Sequence, residues 1–109
     1  MRVLLDECVP RRLRLGLSGI AVSTVVDEGW AGLRNGELLR VMASVGFTHL
    51  VTVDRNLRFQ QHVAAAGVAV VVLRAPSNRL VALEPLLPEL LEQLPTVSPG
   101  ELRVVSSQD

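Results

Sequence analysis

Leu50-Val51-Thr52-Val53-Asp54-Arg55-Asn56 is a β-branched, apolar run that ends abruptly on a carboxylate. Val3-Leu4-Leu5-Asp6-Glu7 has the same shape near the start of the chain. Short apolar runs bounded in this way suit strands buried on both faces. Around them the apolar spacing turns helical. Arg2 to Leu5 is expected as a first strand. Pro10 then opens a helix with Val9, Leu13 and Leu17 on one face, closed by Gly16 and Gly19. Ile20 to Val26 is β-branched and reads as a second strand. Residues 27–36 (DEGWAGLRNG) form a loop, and Asn35 is placed to cap a helix with Leu38, Leu39, Met42 and Val45 on its apolar face, ended by Gly46. Phe47 to Val53 is the third strand. A helix over Asn56–Ala66 ends at Gly67, and Val68 to Leu73 is the fourth strand. Leu80, Leu83, Leu87, Leu90, Leu91 and Leu94 keep helical spacing, interrupted by Pro85 and Pro88. Residues 1–95 are read as the domain, and 96–109 as a C-terminal tail in which Leu102 to Val105 forms an edge strand or a partner contact.

Alternating strands and helices imply an α/β fold, a three-layer sandwich around a small parallel sheet of four to five strands. In such sheets the carboxyl ends of the strands share one rim, and ligands bind there. Asp6, Asp27 and Asp54 follow strands one, two and three, so the topology gathers them whatever their separation in sequence. Carboxylates gathered on one rim repel each other. The remedies are a bound cation, arginine partners or solvent.

Composition bounds the chemistry further. With 109 residues the chain suits one domain, and 49% hydrophobic content is enough for a core rather than disorder. No apolar run approaches the roughly 20 residues of a membrane span, and the start is too short in apolar residues before Asp6 for a signal peptide, so the chain is expected in the cytoplasm, without membrane contact. The single cysteine, Cys8, excludes an internal disulfide. All 11 cations are arginines, against 11 acids. The missing lysine excludes any mechanism that needs one. Net neutrality gives no general attraction to nucleic acid.

Each candidate has a bland role beside its functional one. Asp54 ligates a metal or caps the helix behind it. Glu37 serves a site or only the helix dipole. Glu7, Asp27, Asn35 and Asn56 support a site, solvate a loop or cap a helix. Arg55 and Arg58 pair with these acids or hold phosphate. Hard cations such as Mg²⁺ take one or two carboxylates with water and substrate phosphate, so Asp6, Asp54 and Glu37 would form an open oxygen site. His49 and His62 lack spaced partners for zinc, and Cys8 reads best as a structural thiol. Trp30 stacks on a base or anchors its loop. With only Phe47 and Phe59 besides, there is no aromatic platform for single strands.

Three ordered segments, VLLDECVPRRL (3–13), VSTVVDEGWAGLRNGELLRVMA (22–43) and LVTVDRNLRFQQ (50–61), resemble the small bacterial PIN-like proteins of the DUF5615 type, related to the Mut7 C-terminal domain. The resemblance covers residues 2–74. It implies a reduced PIN-like domain that binds Mg²⁺ or Mn²⁺ and cleaves RNA, in many cases as the toxin-like member of a pair with a small antitoxin protein. Carried over by position, the metal-binding and catalytic acids are Asp6, Asp54 and Glu37, with Glu7, Asn35 and Asn56 beside them; in the nuclease reading Asp27 also supports the site and Arg55 or Arg58 steadies a phosphate. Many relatives carry an aspartate near Asn35 and an Asp-x-Asp after the third strand, where this chain has Asp54-Arg55-Asn56. The amides point to one metal rather than two.

The leading expectation is therefore a metal-dependent ribonuclease. The alternative is a catalytically weak or inactive binding module acting through a protein partner or homodimer, with its leucine-rich last helix as the docking face. A receiver domain would also place acids after strands one and three, but it needs a lysine that this chain lacks.

Overall fold

The computed structural model describes residues 1–53 and 58–106. Five parallel strands form one sheet: β1 (Arg2–Leu5), β2 (Ala21–Thr24), β3 (His49–Thr52), β4 (Ala69–Arg74) and β5 (Leu102–Ser106), in the order β2-β1-β3-β4-β5. The register is in step across the sheet, with Leu5 opposite both Thr24 and Val51, and Val51 opposite Val71. Alternation along each strand sends residues to two separate cores. Val3, Leu5, Val51, Val71 and Leu73 face one side, and Leu4, Leu50, Val70 and Val72 face the other.

On the second side lie α1 (Asn35–Ser44) and α2 (Val63–Ala66). Leu38, Leu39 and Met42 of α1 are buried against the sheet, while Glu37 and Arg40 turn outward. The helix starts one residue earlier than Asn35 capping would allow. Arg34, in extended conformation, is the N-cap, and Glu37 Oε1 accepts its N–H at 3.3 Å. Asn35 is thus the first helical residue. Gly67 closes α2 in the left-handed region at φ 71°, a conformation that residues with a Cβ adopt only under strain.

On the first side lie a 3₁₀ turn (Arg11–Gly16) and the C-terminal helices α3 (Leu80–Leu83) and α4 (Leu87–Gln93). The expected helix from Pro10 is this six-residue 3₁₀ turn, which buries Leu13. Pro85 and Pro88 fall at the starts of a 3₁₀ turn and of α4, where a missing N–H costs nothing. They break one leucine-rich helix into three pieces without uncovering the sheet, since Leu83, Leu86, Leu90 and Leu94 are all buried. Leu102–Ser106 pairs with β4 as the edge strand of the sheet.

The connections differ in hand. The β2–β3 and β3–β4 crossovers advance across the sheet over the α1–α2 side, and β1–β2 runs backwards over the other side, so these three share one hand. The β4–β5 crossover advances over the opposite side and has the other hand. Crossovers in parallel sheets nearly always share one hand. Here residues 75–101 break that pattern by covering the face that the short 3₁₀ turn leaves bare. Among the described residues no helix is long and apolar enough to cross a membrane.

Candidate functional site

β1 and β3 are the two strands from which the chain departs in opposite directions, and a ligand crevice opens at such a switch point. Asp6 stands there, directly after β1, with its N–H bonded to Val51 O of β3 at 2.9 Å. Its side chain is only 2% exposed. A buried carboxylate needs donors, and Asp6 has several. Thr52 Oγ1 donates to Oδ2 at 2.7 Å, and the Glu7 N–H donates to Oδ1 at 2.9 Å. The Arg58 guanidinium lies 3.6 Å from Oδ2. The Cys8 thiol sits 3.7 Å from Oδ2 and 3.5 Å from the Thr52 hydroxyl. Thr52 is the residue that β-pairing places beside Asp6, and strand alternation sends both to the α1–α2 side. That pairing is readable in the sequence once β1 and β3 are neighbours.

The other acids are dispersed rather than gathered. Glu7 turns away and accepts the Gly32 N–H at 3.1 Å. Asp27 forms an ion pair with Arg11 at 2.7 Å and lies 4.0 Å from Arg14. Glu28 accepts the Ser23 hydroxyl at 2.6 Å. Asp54, Arg55 and Asn56 lie outside the described residues. Among the described residues no group of three or more His, Cys, Asp or Glu side chains is placed to hold a metal ion. Asp6 is the one rim carboxylate, of those described, at the switch point.

Two clefts share Arg58, whose guanidinium lies against Asp6. The larger, about 590 Å³, lies between the start of α1 and the segment before α2, among Arg34, Asn35, Gly36, Glu37, Arg40, Arg58 and His62. The smaller, about 410 Å³, is lined by Cys8, Val53, Leu73, Ala75, Ser77 and Asn78. Asn35 Nδ2 reaches Arg58 O at 3.5 Å, and Asn78 Nδ2 donates to Cys8 O at 3.2 Å, so the two walls are tied to the rim. Glu37 belongs to the larger cleft, with Arg58 shared between it and Asp6. Arg34, Arg40 and His62 carry no functional role in the sequence reading, because His62 meets the start of α1 only in three dimensions. The missing lysines were the available signal: every cation at this rim is an arginine.

Two other readings resolve plainly. Trp30 stacks edge-on against Phe47 with ring centroids 5.8 Å apart, so it anchors its loop. His49 is buried, with Nε2 2.8 Å from Leu94 O and Nδ1 2.7 Å from Thr48 Oγ1. Burial holds its pKa below the ordinary 6.5, against the opposing pull of the Leu94 carbonyl.

The chain matches no family model, and no curated protein or solved structure matches it significantly.

Proposed function

We propose that the chain is a metal-dependent ribonuclease of the PIN-like kind, acting as the toxin-like member of a pair with a small antitoxin protein. The observation that carries the reading is Asp6, a buried carboxylate at the β1–β3 switch point, in contact with the Arg58 that lines both clefts. One carboxylate with water and substrate phosphate is a sufficient start for a hard divalent cation. Asp6 and Asp54 would hold Mg²⁺ or Mn²⁺, which would supply charge stabilisation at the phosphodiester and an acidified water. The chain's own part is positioning. Thr52 and the Glu7 N–H fix the orientation of the Asp6 carboxylate. Arg58 steadies a phosphate beside it, and Glu37 orients water from the larger cleft. Asp6→Ala and Asp54→Ala are each expected to abolish Mg²⁺- or Mn²⁺-dependent cleavage of RNA, with folding checked by thermal melting. Unchanged cleavage in both variants sinks the assignment.

One observation favours a second reading. Both Asp6 oxygens already have internal donors, and Arg58 sits where a cation would approach. A site so supplied suits a non-enzymatic module that binds a protein partner or a second copy. Calorimetric titration separates the two: the nuclease binds Mg²⁺ or Mn²⁺ in the millimolar range, and the module does not.

A further inference from the structure

We infer that the larger cleft is a phosphate-backbone subsite for single-stranded RNA, with Arg34, Arg40, Arg58 and His62 as its donors. The inference deepens the nuclease reading and rests on it for the identity of the polymer. Three guanidinium groups and an imidazole line about 590 Å³, with Glu37 as the one acid among the described residues there. Among the described residues, neither Arg34 nor Arg40 forms an ion pair with a carboxylate. By contrast, Arg11 and Arg103 are matched with Asp27 and Glu101. The guanidinium groups of Arg34 and Arg40, on a concave surface, have the fork geometry that phosphate oxygens fill. Net charge hides this, because Asp27 and Glu101 balance other arginines away from the cleft.

Gly36 shapes the cradle. A Cβ there would stand 3.2 Å from His62 Nδ1 and 3.4 Å from an Arg40 terminal nitrogen, so the missing side chain lets both groups close over the start of α1. That helix is ten residues long, and its N-terminal dipole adds to the same positive field. The space exceeds one phosphate group, and Arg58 also lines the smaller cleft. There Ser77 and Asn78 stand over an apolar wall of Val53, Leu73 and Ala75, which suits a sugar and its base. A chain laid through both clefts brings a phosphodiester across Arg58 to Asp6. Among the described residues no Phe, Tyr or Trp lines either cleft, so the contacts address the backbone and read no base.

The test is fluorescence anisotropy of the full chain with labelled oligo-U and oligo-A in EDTA, so that binding is read without cleavage. The variants are Arg34→Gln with Arg40→Gln, and Arg12→Gln as an exposed control on the 3₁₀ turn. The double variant is expected to bind at least tenfold more weakly at low salt, while the control stays within twofold. The slope of log affinity against log salt is expected to fall by about 1.4, or about 0.7 for each phosphate contact removed. Oligo-U and oligo-A should bind alike. An unchanged affinity or slope in the double variant overturns the inference, as does no binding by the native chain. Displacement of RNA by a poly-glutamate peptide as readily as by inorganic polyphosphate also overturns it, and assigns the cleft to an acidic protein. Loss of the nuclease reading looks different: binding persists and depends on Arg34 and Arg40, but no metal restores cleavage.

Discussion

Thr52 and Asp6 form the tightest polar contact at the switch point, and its energetics follow from burial. The hydroxyl donates to a carboxylate oxygen that water scarcely reaches. Thr52→Val keeps the shape and deletes the donor, which is expected to cost about 2 kcal/mol, measured by urea unfolding. The Arg58 contact at 3.6 Å is weaker, because its guanidinium is 48% exposed and screened. His49 gives a second expectation, with its sign fixed by burial. In the unfolded chain it takes up a proton near pH 6.5, whereas the folded chain resists protonation until lower pH. Below 6.5 the unfolded state binds more protons, so stability falls with pH through that range. The melting temperature should therefore drop between about pH 7 and 5, and His49→Gln should flatten that drop while keeping a donor for Leu94 O. Glu101, held below its ordinary 4.5 by the Ser98 N–H and then by Arg103, titrates beneath this window and does not confuse it.

Elements were legible in proportion to how strongly local pattern constrains them. β1 and β4 announced themselves through continuous apolar residues, and α1 through the spacing of Leu38, Leu39 and Met42. Of the rim acids that topology is expected to gather, Asp6 stands at the switch point, Asp27 pairs with Arg11, and Asp54 lies outside the described residues. Three features were not local. The stretch from Pro10 is too short and too glycine-bounded to complete an α-helix, and only its buried Leu13 survives from the helical reading. The N-cap moved to Arg34 because the Glu37 side chain satisfies the backbone there better than Asn35 would one residue later. The cleft needed the loop before α1 and the turn before α2 to be placed side by side, which no periodicity encodes. Where local chemistry does dictate a stop, substitution should show it. Gly67 ends α2 at φ 71°, with open space around its Cβ position. Gly67→Ala is therefore expected to cost about 1 kcal/mol from backbone strain alone, seen as a lower denaturation midpoint with unchanged slope.

For the whole molecule the sheet supplies a gradient. β3 and β4 sit between neighbours on both edges and are buried on both faces, apart from Arg74 at the end of β4. β2 is an edge strand of four residues, of which only Thr24 is fully buried. From β2 hangs the 25–34 segment, held by Trp30 against Phe47 and by the Gly32 N–H on Glu7, and it delivers Leu33 and Arg34 to the wall of the larger cleft. Regions with few buried contacts open at lower free energy than the core. Amide hydrogen exchange should accordingly be slowest in β3 and β4 and fastest across β2 and residues 25–34, and equal protection throughout would contradict this. One wall of the cleft is thus fastened to the least secure strand, and the other to the segment that leads into α2. The cleft need not be a rigid mould: its mouth can breathe at the cost of a local opening, while Asp6, clamped to β3 by its own backbone, stays where it is.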